Sequence, residues 1–312
     1  MLNLIISLIL FIAIIHILSN LILKYIQKFY EISNVSLFIL FLYISGLINS
    51  LIAFIPSLRV IIYSDPLTAF YMNFYNPLLD LTLGIGSITL LFGIKKDSIK
   101  NTLLIGYSLS VISLIISLIF GVLNLYSSIF LIISFILINS YIIIHYKRKR
   151  YHELANIDIS WKQFLKIVIY SFIIGASFAI IFSYPIDIIT TKLLHNYKLS
   201  YSFLGLLISL IVFTLPTQWF ILISWKKGYD INATISTIIG ESLFSYTIFT
   251  GILAGIRDIR FSTADVLPIF SSIVSLYIIF ILLYLSKYYD IPKPIGIFIM
   301  ILGTIIAIAT II

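Results

Sequence analysis

Long uninterrupted apolar runs, each about twenty residues or more, decide what this chain can fold into. Ten of them lie near 2–23, 36–58, 67–94, 101–122, 125–144, 163–186, 199–225, 231–256, 266–286 and 294–312. As a helix rising about 1.5 Å per residue, such a run crosses roughly 30 Å of hydrocarbon. In lipid every backbone N–H and C=O needs an internal partner, so only helices and closed barrels can cross. Barrel strands alternate inward and outward over about ten residues; these runs are longer and do not alternate. Charged residues make up only 10% of the chain and hydrophobic ones 61%. Soluble domains carry about 25% charged residues, so a soluble surface of this size would go uncovered. The expected fold class is an all-α integral membrane protein with about ten transmembrane helices.

The connections between runs are short, and the longest polar one is His145–Lys162. Counting lysine and arginine in a ten-helix topology puts five on one side (Arg59, Lys192, Lys198, Arg257 and Arg260) and the other fifteen opposite. Cytoplasmic loops carry the excess. The basic central loop, with its Lys147–Arg150 run, is therefore expected in the cytoplasm of a cell-membrane protein with both termini outside. The net charge of +8 follows from this topology, so no nucleic-acid partner is implied; the expected partners are the lipid bilayer and an inorganic cation. The first run has no basic segment before it and no small-residue cleavage site after it, and reads as a retained helix. The absence of cysteine excludes disulfides, thiolate metal sites and cysteine nucleophiles.

Five helices on either side of a basic centre suggest a duplicated half: 1–145, a linker at 146–162, and 163–312. A shift of 164 residues places Ser36 on Ser200, Ile44 on Ile208, Ser45 on Ser209 and Ala69 on Ala233; one further residue places Asp80 on Ser245 and Gly86 on Gly251. An odd number of helices per half makes the halves opposite in orientation. Inverted repeats of this kind build secondary transporters with a site at mid-membrane.

Phe213–Gly228 (FTLPTQWFILISWKKG), Ile238–Ile252 (IIGESLFSYTIFTGI) and Lys293–Ile308 resemble the second alpha-repeat of the calcium/cation antiporter superfamily, the sodium/calcium exchanger type. That pattern is GTSLPE, a helix, a KG-type turn, then GSNxFN or GSNxFD. Leu215–Pro216 falls on its LP, Lys227–Gly228 on its turn and Gly240–Ser245 on GSNxFN. In the first half Ile48–Ala53 falls on GTSLPE, Ser64–Pro66 on the turn and Tyr75–Asp80 on GSNxFD. The alpha-repeat-like motifs thus occupy 48–86 and 212–252. The resemblance implies two inverted five-helix repeats, outside termini and cation exchange.

Most of the twelve acidic residues lie in loops, but Asp80 and Glu241 lie deep within runs. An ionised side chain there costs at least ~2.5 kcal/mol and calls for a partner, a cavity or a bound cation. Hard cations draw on several oxygen ligands. At helical spacing Glu241 shares a face with Ser245, beside Ser242, and Asn76 shares one with Asp80. The second and seventh runs add Asn49, Ser50, Thr214, Thr217 and Gln218. Pro77 and Pro216 are expected to break their helices and free carbonyls as further ligands. Membrane hydroxyls more often bond the preceding turn, and the four scattered histidines have no metal spacing.

The family's ion-binding glutamates fall on Ala53 and Thr217, its GSN serine on Glu241 and its second acid on Ser245; Asp80 alone keeps the family residue. Two lost carboxylates against one gained weaken the case for a divalent ion. The expectation is a cation antiporter with a degenerate site at Asp80 and Glu241, carrying Na⁺, Ca²⁺ or H⁺ and needing no cofactor. The alternatives are a non-transporting relative and a membrane-embedded lipid enzyme, for which the loops offer only dispersed acids.

Overall fold

The computed structural model describes residues 16–17, 19–30, 37–96, 101–150, 161–197, 199–229 and 231–311. The architecture is helical: α1 (19–30), α2 (Leu37–Tyr63), α3 (Pro66–Phe92), α4 (Asn101–Leu118), α5 (Leu125–Arg150), α6 (Trp161–Tyr197), α7 (Tyr201–Lys226), α8 (Ile231–Ile256), α9 (Val266–Leu285) and α10 (Ile295–Ile311). Seven of these, α2–α5 and α7–α9, contain a stretch long and apolar enough to cross a bilayer. A bent helix (α6) and a shorter apolar one (α10) join them. Most of the expected first span, and the centre of the linker at 151–160, lie outside the described residues.

Several boundaries differ from expectation for local reasons. α5 continues through the basic run to Arg150, because lysine and arginine are good helix formers and nothing caps the helix earlier. α6, expected to end at 186, runs on to Tyr197 with a 44° bend between Ile169–Ile181 and Ser183–Leu194. Pro185 supplies no N–H for the Ile181 carbonyl, which accounts for a bend at that point. The second half of α6 is tied to the end of α2: Asp187 pairs with Arg59 at 3.1 Å and accepts from Ser64 Oγ at 2.8 Å. α4 ends at Leu118, four residues early, ahead of a turn at Gly121 (φ 68°). Asp65 caps α3 by accepting from Thr68 N, with Pro66 at its first position.

The expected breaks at Pro77 and Pro216 do not occur, and α3 and α7 run on as continuous helices. π-helical turns occur at Phe41–Ser45, Asp80–Gly84, Ser209–Thr214 and Ser245–Phe249, one in each of the four helices that carry the alpha-repeat-like motifs. The turns at Asp80 and Ser245 begin 165 residues apart, the offset of the sequence repeat. The connections are paired in a similar way in the two halves. Ile94, after α3, bridges to Ile291 between α9 and α10. Ile259, after α8, pairs with Leu123 between α4 and α5.

Packing puts α2, α3 and α8 inside, with most of their length buried, while α5 and α9 show large apolar side chains outward as lipid-facing helices must. The α2–α8 crossing is closest where Gly46 meets Gly240: a Cβ on Gly240 would stand 2.2 Å from Leu42 O. Only glycine lets two backbones approach so near. Gly240→Ala is therefore expected to force these helices apart and lower stability by about 1–3 kcal/mol, read by thermal unfolding in detergent; an unchanged melting temperature would contradict this crossing.

Candidate functional site

Helical periodicity sets Asn73, Asn76 and Asp80 in one stripe on α3, at spacings of three and four residues. α8 faces this stripe with Glu241 and Ser245. All five are buried, where a polar group needs a hydrogen-bond partner. Their contacts are therefore with one another. Asn76 donates Nδ2–H to Glu241 Oε1. Asn73 Nδ2 donates to Ser245 O and to Thr250 Oγ1, both at 3.0 Å. From α7, Gln218 Nε2 donates to Asp80 Oδ1 at 3.1 Å, and Thr217 lies beside Asp80 with its hydroxyl on Phe213 O at 3.4 Å.

The two carboxyl groups contact each other directly. Each has one oxygen satisfied by an amide N–H, while Asp80 Oδ2 and Glu241 Oε2 receive no donor. Around them other buried oxygens stand without a partner: Asn73 Oδ1, Asn76 Oδ1, Thr214 Oγ1, Ser245 Oγ and Tyr246 Oη. Among the described residues the one salt bridge is Arg59–Asp187, so no basic side chain neutralises the pair. A buried carboxylate that keeps its charge requires a positive partner. Two acids in contact, with unfilled oxygens around them, form a negative, oxygen-lined centre able to hold a proton or a desolvated cation. Among the described residues no group of three or more His, Cys, Asp or Glu side chains gathers anywhere.

The sequence candidates thus divide. Asp80, Glu241, Asn76, Thr217 and Gln218 come together. Ser50 reaches the backbone beside the pair, bonding Gly46 O at 2.7 Å and Glu241 O at 3.2 Å. Thr214 and Ser245 are buried with unpartnered hydroxyls, and Asn49 is buried with an unpartnered Nδ2. Ser242 bonds Ile238 O on its own helix at 2.9 Å, the usual fate of a membrane hydroxyl. Asn73, Tyr246 and Thr250 were not among the candidates. Asn73 could have been found from the 73–76–80 spacing, whereas nothing local marks Tyr246 among so many tyrosines.

These features define a multi-pass α-helical membrane protein with a polar centre between two similarly built halves. No family model and no curated protein matches the chain. Among solved structures, it is similar to the sodium-calcium exchanger NCX_Mj. With that exchanger soaked in 2.5 mM Na⁺ and 0.1 mM Ca²⁺ the TM-score is 0.68 at 15% identity, covering 95% of each chain. With the 2.5 mM Na⁺ and 1 mM Sr²⁺ form it is 0.68 at 16% identity, covering 96% of each. With the form soaked without Na⁺ and Ca²⁺ it is 0.60 at 15% identity, covering 95% of this chain and 97% of that one. The fold is that of a sodium-calcium exchanger.

The amide caps should be measurable. Gln218→Leu leaves Asp80 Oδ1 without its donor, and the expected loss of folding stability is about 1–3 kcal/mol. In a double-mutant cycle with Asp80→Asn the two changes should couple by more than about 0.5 kcal/mol. Simple additivity would separate Gln218 from the acid.

Proposed function

We propose that this protein is a secondary active transporter, a cation antiporter on the sodium/calcium exchanger fold, with Asp80 and Glu241 compensating the charge of the carried ion. The observation that carries this reading is the contact between two buried acids on α3 and α8, each with an oxygen that no donor fills. The likeness to exchanger structures supports it. Asn76, Ser245, Asn49, Ser50, Thr214, Thr217 and Ser242 are the neutral oxygen sources proposed around the pair, with Gln218 positioning Asp80. Ala53 and Thr217 stand where the resembled family has its glutamates. The centre therefore has two fixed charges, enough for one divalent ion, two monovalent ions or protons, with less excess to offset dehydration of Ca²⁺. The inverted halves are 1–145 and 163–312. The basic linker is cytoplasmic and both termini are outside, so that each half opens the centre to one face in turn.

A second reading, a non-transporting relative that kept the fold, draws on the same two replacements and on the amide N–H groups already occupying one oxygen of each acid. Ion-dependent stability separates the two. Purified protein with an intact site should gain about 2.7 kcal/mol at a cation concentration one hundred times Kd, visible as a rise in melting temperature with Na⁺ or Ca²⁺, or as a pH-dependent one for H⁺. In reconstituted vesicles, Asp80→Asn combined with Glu241→Gln is expected to abolish gradient-driven cation flux and the thermal shift together. Wild-type protein that is stabilised by no cation and moves none would favour the non-transporting relative.

A further inference from the structure

At the end of the bundle where α4 passes into α5, the chain leaves a groove that the acid pair does not use. It measures about 470 Å³ and is lined by Ile116, Ser117, Phe120, Val122, Tyr126 and Phe130 with their neighbours. This volume lies within the roughly 300–1,000 Å³ of ligand sites. Ile116 and Phe130 belong to helices that face lipid. Phe120 and Tyr126, 77% and 81% exposed, stand at the helix ends, the level at which aromatic residues sit in the bilayer interface.

Its polar rim is set by strand pairing. Val122–Leu123 pairs antiparallel with Ile259–Arg260, Val122 opposite Arg260 and Leu123 opposite Ile259. Directly opposed residues share a face of the ladder. Leu123 and Ile259 are fully buried, so the other pair points outward. Val122 lines the groove, and Arg260, paired opposite it, stands on the same face of the ladder. Arg260 is exposed and, among the described residues, makes no salt bridge, even with Asp258 on the same loop. The N–H groups of Tyr126 and Ser127, at the start of α5, are already taken by Asn124 Oδ1 at 3.0 and 3.3 Å. Arg260 is therefore the groove's free donor of positive charge.

We propose that this groove binds one phospholipid of the surrounding bilayer, an acyl chain lying along Ile116, Phe120 and Phe130 and the phosphate pairing with Arg260. An apolar trough opening into hydrocarbon fits a lipid chain. A guanidinium at interface depth fits a phosphodiester through paired N–H···O bonds. The β-pair ties the arginine's backbone to a residue that lines the trough, and a phospholipid carries both of the chemistries that they offer. Anionic headgroups are favoured over zwitterionic ones, whose own cation competes with Arg260.

The test is native mass spectrometry of the full-length protein released from nanodiscs of mixed phosphatidylglycerol and phosphatidylcholine. The expected result is one retained phospholipid per chain, enriched in phosphatidylglycerol. Arg260→Gln, an exposed change that leaves the backbone pairing intact, should weaken retention about tenfold, and Arg260→Lys should restore part of it. Val122→Trp should abolish retention by filling the groove. Equal retention by Arg260→Gln and wild type, or no preference between the lipids, would overturn the assignment. So would a dimer whose abundance, rather than lipid retention, responds to these variants, since a second copy would then cover the groove.

Discussion

Two carboxyl groups pressed together inside an apolar bundle set the terms for the rest of this molecule. Unit charges 4 Å apart repel by about 4 kcal/mol even at an effective dielectric of 20, and each ion also loses its hydration. Such a pair persists only when its surroundings supply donors in fixed positions. Asn76 and Gln218 do so from opposite sides, one N–H to Glu241 and one to Asp80. Two neutral amides cannot cancel two charges, so the pair stays buried only with a proton or a cation to complete it. This deficit distinguishes it from an ordinary buried polar network, which closes on itself.

The helices meet this demand through backbone geometry. α2 and α8 approach closely because Gly46 and Gly240 have no side chains at the crossing, which brings Ser50 against Glu241 O. Asp80 and Ser245 each open a π turn, a local widening common at functional positions. Short β contacts join the connections at each end, so the halves are clasped outside the hydrophobic interior as well as within it. The polar centre therefore sits in the most buried helices, with lipid-facing α5 and α9 kept at the perimeter.

Much of this was legible in the chain, and the limits are physical. Long apolar runs locate helices because lipid permits little else. Asp80 and Glu241 stand out because charge is so rare in those runs. The ends of α5 and α6 lie beyond their apolar runs, since hydropathy falls after Ile144 and Ile186 while the helical backbone continues to Arg150 and Tyr197. Pro77 and Pro216 suggest breaks, yet both helices run on through them. The pairing of Gln218 with Asp80 depends on how α7 packs on α3, a tertiary relation that no local pattern encodes. For the same reason Ser242 and Ser245, three apart in one helix, could not be separated from sequence, yet one bonds its own backbone and the other is left unpartnered.

The offset that relates the halves also explains how the centre is assembled. At 165 residues, Asp80 corresponds to Ser245 and Asn76 to Glu241. Asn76 and Glu241 are hydrogen-bonded to each other, and positions that touch their own counterparts lie on the axis relating the halves. The acids are thus not symmetry mates. Each half contributes one acid and one neutral residue at exchanged positions, so Glu241 falls at the axis and Asp80 away from it, in places that are not equivalent. The flanking helices deepen the asymmetry: α7 brings Thr217 and Gln218 to Asp80, whereas at an offset of 164 the matching positions on α2 are Ala53 and Phe54, the latter stacked on Phe249 at 4.3 Å. A pseudo-symmetric scaffold with polar ligands concentrated on one side holds its charge off-centre. In the transporter proposed above, the two orientations of such a scaffold would be unequal in energy, and the bound cation would have to supply the difference for both to be populated.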